Sequence, residues 1–165
     1  MKRERLETKS TGSAGGYSLP ELLIVIALIG LFVLFGGPAM ADAYKAYKVR
    51  SVANNLSLDL RALRYNAVAT RSPRTMTINN QADATAPNRY SYANYKGDPI
   101  TVRIEQWVNI ETTSAASIGF NIYGATGVSG SQTVSVSMAI NGTRNDRYTI
   151  SVSPTGTVST AYSTF

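Results

Sequence analysis

The sequence predicts an α+β fold: one long N-terminal α-helix packed on an antiparallel β-sheet. Three observations lead there. Residues 22–41 carry no charged side chain, a run of about 20 residues that is long enough to cross a bilayer as a helix. Val49, Val52, Ala53, Leu56, Leu60, Leu63 and Ala67 then recur at spacings of three and four, the period of one helix face. After Pro73 helix formers thin out, and Thr, Val, Ile, Ser, Tyr and Gly dominate, with apolar residues at alternate positions.

Residues 1–16 are polar and rich in small residues, and Lys2, Arg3, Arg5 and Lys9 outweigh Glu4 and Glu7. Positive charge ahead of an apolar segment holds that end in the cytoplasm and sends the remainder across. Pro20 suits the first helical turn, where its missing N–H is not needed. Glu21 is favoured there by the helix dipole. An acid at the mouth of an apolar run costs a few kcal/mol if left unpaired in lipid, so its presence points to a partner. Gly36-Gly37-Pro38 is expected to loosen or kink the helix, because proline removes a backbone bond and crowds the preceding turn. Past the apolar run, Arg50, Asn54, Asp59, Arg61 and Arg64 fill the faces left by the stripe, which reads as a helix packed on its own sheet. Ser72-Pro73 ends the helix.

Residues 75–79 read as a short strand and 81–88 as a polar loop. Residues 90–95 and 100–108 read as strands joined by the turn Lys96-Gly97-Asp98-Pro99. In the second of these, Ile100, Val102, Ile104 and Gln106 alternate with Thr101, Arg103, Glu105 and Trp107, and the first set is mostly apolar. Trp107 falls on the other parity, where it caps a second hydrophobic surface or marks a bulge. Residues 118–123 form a further strand, and 124–131 a Gly/Ser loop. Val134, Val136, Met138 and Ile140 alternate with Ser and Ala. Asn141-Gly142 is a turn signal, with the strand expected to resume near Arg147 and Tyr148, Ile150 and Val152 alternating. Ser153-Pro154-Thr155-Gly156 makes a second turn, and residues 157–162 return as the last strand.

At 165 residues the chain fits one domain plus an anchor, with a single modest core after residue 41. It contains neither cysteine nor histidine. Disulfides, thiolate chemistry, His-based acid–base catalysis and ordinary zinc sites are therefore excluded, and no metal or cofactor is expected. The net charge is +6, but the first 16 residues hold four of the 16 basic and two of the 10 acidic groups. The remaining +4 is mildly basic and does not by itself argue for nucleic acid. Catalysis would need Ser with Lys45, Lys48 or Lys96, or a pairing among Asp98, Glu105 and Glu111; an exposed charged strand face is the plainer reading, and no enzyme is expected. Tyr90, Tyr92 and Tyr95, near Arg89 and Lys96, suit stacking on bases, though sheet aromatics packed on neighbours are the commoner arrangement.

The N-terminal segment admits three readings. In a secretory signal peptide, residues 22–35 form the apolar core and Ala39-Met40-Ala41 the small-x-small cleavage site, releasing a soluble domain that begins at Asp42. An uncleaved single-pass anchor would leave Glu21 as an interfacial residue. In the third reading, Gly16, Tyr17, Ser18, Leu19, Pro20, Glu21 and Leu22 resemble, in order, the processing signature of type IV prepilins and type II secretion pseudopilins. That signature is a short basic leader ending in Gly, an aromatic residue, Ser or Thr, Leu, any residue, Glu and Leu. Phe is commoner than Tyr at the first mature position.

The resemblance implies a pilin-like fold in three parts: a leader (1–16), a membrane and assembly helix (17–41), and a periplasmic globular domain (42–165) that includes the amphipathic half of the helix. It implies cleavage by prepilin peptidase between Gly16 and Tyr17 and N-methylation of Tyr17. Glu21 would pair with the first-residue amine of a neighbouring subunit, and Gly30 and Pro38 would serve helix flexibility. Arg50-Ser51-Val52-Ala53-Asn54-Asn55-Leu56, Asp59-Leu60-Arg61, Arg64 and residues 149–157 are similar to the pseudopilin H/FimT-like (GspH/FimT) group. The implied protein is a minor pilin or pseudopilin of a type IV pilus or type II secretion pseudopilus. It would be a single-pass inner-membrane subunit whose partners are other pilin subunits, the peptidase and an assembly platform. An alternative partner is DNA, bound for uptake as in some FimT-like minor pilins through basic residues near the C-terminal hairpin. Here Thr157 and Ser159 stand where Arg would help, with Arg144 and Arg147 close by.

Overall fold

The computed structural model describes residues 16–105 and 107–165. The leader before Gly16 and the expected inward position of Gln106 lie outside the described residues. One helix, α1 (Leu19–Ala69), starts where the Ser18 carbonyl accepts a hydrogen bond from the Leu22 N–H at 3.2 Å. It carries Glu21 in its first turn and passes through Gly36-Gly37-Pro38 as a single helical element. The chain divides into two compact units between Ala39 and Met40. The first, as described, is the apolar half of α1, and the second is the head.

Within the head, α1 buries Val49, Ala53, Leu56, Leu60, Leu63 and Ala67 completely. Val52 lies half-buried beside them. Ser57 shares the buried stripe because its hydroxyl donates back to the Asn54 carbonyl at 2.8 Å, which satisfies the one polar group there. The helix ends ahead of Pro73, with the Ala67 carbonyl accepting the Ser72 N–H and Arg71 in the left-handed region at φ 48°.

Eight strands follow: β1 (Arg74–Asn79), β2 (Arg89–Ala93), β3 (Pro99–Arg103), β4 (Asn109–Ile110), β5 (Ser117–Phe120), β6 (Gln132–Asn141), β7 (Arg144–Val152) and β8 (Val158–Thr164). They form two antiparallel four-stranded sheets, in the orders β3-β2-β1-β5 and β4-β6-β7-β8. Period-two alternation selects the inward residues. Met76 lies between Tyr92 and Ile118, Ile78 opposite Tyr90, and Val134 opposite Ile150. These side chains and the α1 stripe form one core cluster.

The strand expected over residues 100–108 is a shorter strand, β3, followed by a crossing to the other sheet. Its alternation holds to Ile104, which is buried, but pairing stops at Arg103. The Ile104 N–H then bonds the Asn88 carbonyl at 2.9 Å, and the Val108 N–H bonds the Glu105 carbonyl at 3.1 Å in a turn. The chain joins the other sheet at β4. Ile104 and Val108 are buried on either side of this crossing, and Trp107 lies exposed within it. Strand β7 resumes at Arg144, ahead of Arg147, because Arg144 and Asp146 neutralise each other on the ladder. A polar pair there reads from sequence as a loop. Strand β8 extends to Thr164, since Tyr162 opposes Tyr148 with ring centroids 4.9 Å apart. Strand β5 stops at Phe120 because the Asn121 carboxamide oxygen accepts the N–H groups of Tyr123 and Ala125, closing a turn. The second turn forms as expected, with Gly156 at φ 82° and its N–H bonded to the Ser153 carbonyl at 2.8 Å. A Cβ at Gly156 would overlap the Gly124 carbonyl, so glycine is required both by its backbone angle and by this close approach.

Candidate functional site

Gly16, Tyr17 and Ser18 form a non-helical lead-in to α1, and Tyr17 is exposed. From Leu22 to Met40 the large apolar side chains all face outward, Phe32 at 76% and Phe35 at 72% exposure. The segment's mean hydropathy reaches 2.6 and none of that stretch is buried. It is therefore long and apolar enough to cross a membrane. A continuous apolar surface on this scale calls for a cover, either lipid or other helices. Glu21 is the single charged side chain between Gly16 and Asp42. The three ion pairs among the described residues, Lys48–Glu105, Arg144–Asp146 and Arg147–Glu111, all lie in the head, and Glu21 belongs to none of them. Gly30 and Pro38 both sit inside α1, and the space beside Gly30, Gly36 and Gly37 is open.

In the head the carboxylate pairing that catalysis would need does not form among Asp98, Glu105 and Glu111. Glu105 accepts from Lys48 at 2.7 Å, Glu111 from Arg147 at 2.6 Å, and Asp98 from the Asn94 side chain at 3.0 Å. Among the described residues no cluster of three acids could hold a metal ion. Tyr90 and Tyr92 serve packing: Tyr90 is 2% exposed and stacks on Tyr92 at 6.4 Å, whereas Tyr95 lies exposed past β2 with the Lys96 ammonium 5.6 Å from its ring centroid. The Tyr90 hydroxyl donates to Asp59 Oδ2 at 2.7 Å, which ties β2 to α1.

Burial, and then the adjacent Asp59 carboxylate, push the Tyr90 phenol well above its ordinary range; Tyr92 is shifted in the same direction, again chiefly by burial. A raised folded-state value means the native head keeps protons that the unfolded chain releases. Stability from these groups is complete below a pH of about 10. It is lost as pH rises beyond that, chiefly through Tyr90, the more deeply buried of the two. Urea titrations at stepped alkaline pH should show this decline, and Tyr90→Phe should flatten it.

The basic residues near the C-terminal hairpin are already engaged. Arg144 grips Asp146 through two bonds, at 2.6 and 2.8 Å, and donates to the Tyr162 hydroxyl at 3.0 Å. Asp146, Tyr162 and these bonds hold its guanidinium protonated far past its ordinary range. Arg147 bonds Glu111 and lies 4.2 Å from the centroid of the Phe165 ring. Guanidiniums committed to internal acids offer little to phosphates. A gel shift of the intact chain with duplex DNA should therefore show no salt-sensitive complex; a steep fall in affinity with salt would contradict this.

Sequence reasoning missed the role of Arg61 and Arg64. Arg64 donates to the carbonyls of Gly124 (3.0 Å) and Thr155 (3.3 Å), and Arg61 to that of Val158 (3.4 Å). They fasten α1 to both the Gly/Ser loop and the last hairpin. No sequence signal carries this, because their acceptors are backbone carbonyls about 60 to 97 residues away.

No protein-family model matches the chain, and no curated protein matches it. Similar solved structures include two crystal structures of the type IV minor pilin FimU of Pseudomonas aeruginosa strain PAO1. The P21 form gives a TM-score of 0.52 at 14% identity, covering 70% of this chain and 90% of that one. The P65 form gives 0.50 at 16% identity, covering 68% and 91%. At these identities the likeness is one of fold. The chain has a type IV pilin-like fold, a long N-terminal helix on antiparallel sheet.

Proposed function

We propose that this chain is a minor pilin or pseudopilin, a structural subunit rather than an enzyme. It is stored in the inner membrane with its head in the periplasm and assembled through α1 into a type IV pilus or a type II secretion pseudopilus. The observation that carries the reading is an uncovered apolar helical stem joined to a pilin-like head, with its one acid in the first turn, four residues past Tyr17. Residues 50–56, 59–61, 64 and 149–157 resemble the GspH/FimT group in sequence pattern, and this favours a subunit of that kind.

The mechanism follows from the charges. Prepilin peptidase cuts between Gly16 and Tyr17 on the cytoplasmic side, so the stem stays with the mature chain. The cut frees an amine at Tyr17, which is then N-methylated. Glu21 and the Tyr17 amine of an adjacent subunit are each costly alone in lipid and offset one another when the subunits are aligned. An assembly platform extracts the subunit, and stems exchange lipid contacts for helix contacts. Glycines at 30, 36 and 37 and the proline at 38 weaken the helix locally, and this stretch would lengthen as stems pack. Mass analysis of the mature N-terminus tests the proposal. A methylated Tyr17 is the expected result, and a chain starting at Asp42 would overturn it in favour of a soluble, signal-peptide-processed domain.

A further inference from the structure

We propose that a groove in the head, walled by Tyr44 and Trp107, seats on the phospholipid headgroup layer. This rests on reading α1 as a membrane anchor. The groove encloses about 260 Å³. One wall is α1 from Ala41 to Lys48, and the other holds Trp107, with Val108 and Met138 contributing buried apolar surface. Ala41 is the last residue of the uncharged run, so the groove begins where the membrane-crossing segment stops. At 1.5 Å per residue, Tyr44 lies about 5 Å and Lys48 about 10 Å past Ala41 along the helix. The headgroup layer is roughly 5–8 Å thick on each side of the bilayer. Tyr44 and Lys45 thus fall inside it, and Lys48 lies just beyond it, within reach of phosphate on its four-carbon stem.

The side chains suit that layer. Trp107 is 68% exposed and Tyr44 61%, large aromatic surfaces that water does not favour. Indole and phenol combine an apolar ring with one polar group, which is why Trp and Tyr concentrate at membrane interfaces. The Lys45 ammonium donates to the Ile140 carbonyl at 2.7 Å, and Lys48 to Glu105 at 2.7 Å while lying 5.3 Å from the Tyr44 ring centroid. Each ammonium has three N–H donors, so both retain hydrogens for phosphate oxygens. Apolar groove, aromatic rim and tethered cations together reproduce the polarity order of acyl chain, interface and phosphate. None of these residues belongs to the Gly16–Glu21 processing and assembly site.

Trp107 is the single tryptophan in the chain and serves as its own reporter. The full chain would be reconstituted in vesicles of phosphatidylethanolamine and phosphatidylglycerol, with and without lipids brominated high on the acyl chain. Protease protection would report insertion of α1 in parallel. The expected result is blue-shifted Trp107 emission, quenching by the brominated lipid, and several-fold weaker acrylamide quenching than for a free tryptophan derivative. An inserted chain whose Trp107 stays as open to acrylamide as in water overturns the headgroup seat and leaves the anchor reading intact. A chain that fails to insert overturns both. Protection that arises only when copies cross-link at high protein density assigns the groove to a second subunit and also overturns the lipid seat.

Discussion

A Glu21→Ala chain is expected to insert in the membrane at normal levels yet enter filaments up to about a hundredfold less well. The estimate follows from the cost of leaving a charge unpaired in lipid, roughly 3 kcal/mol, at 1.4 kcal/mol per factor of ten. Insertion should survive because the remaining apolar run supplies the membrane affinity, and loss of an acid at its mouth only increases it. Incorporation should suffer because the Tyr17 amine of the neighbour then enters the bundle without a counter-charge. Glu21→Gln separates charge from size: it keeps the shape and should fail nearly as badly. Quantifying the subunit in sheared filament fractions against total membrane checks both variants. Normal incorporation of either would remove the register role from Glu21.

The second large effect lies in the head. Leu60→Ala should lower stability by about 3 kcal/mol, toward the lower end of the range for a fully enclosed leucine. Leu60 has no exposed surface and belongs to the core cluster that contains residues of both sheets, so its deletion leaves a cavity bounded by several elements. A domain of this size loses about 3–5 °C per kcal/mol, so a fall of roughly 10 °C in the melting temperature is expected. Thermal unfolding of the full chain in detergent micelles, followed by the near-ultraviolet signal, measures it. Leu58→Ala is the control. Leu58 lies two positions earlier on the same helix but is 58% exposed, so its loss should have little effect. Equal losses at the two positions would contradict the packing described for α1.

The stem and the stripe were legible because both are written in local spacing. An uncharged run of about 20 residues needs no knowledge of the remainder of the chain. Six of the seven stripe positions are completely buried, and Val52, at the margin, is the seventh. The turns at Asn141 and at Ser153-Pro154-Thr155-Gly156 were equally readable, since turn residues act through their own backbone angles. Strand ends were less so. Residues 100–104 alternate as expected, yet pairing changes sheets between Arg103 and Asn109. Alternation reports which side of a strand faces the core. It does not report which strand accepts its hydrogen bonds.

The amino-acid sequence alone determined that a long apolar helix leads the chain, that one acid sits in its first turn, that an amphipathic continuation follows, and that strands make up the remainder. Each of these is a matter of residue type and period, which act over a few residues. Only the tertiary structure decided that the strands divide into two sheets and that Arg144 and Arg147 are held by Asp146 and Glu111. It alone placed Arg61 and Arg64 against distant carbonyls and Trp107 beside Tyr44. Those outcomes depend on hydrogen bonds, ion pairs and packing between segments far apart in the chain, and such partners are selected only when the whole head closes around one core.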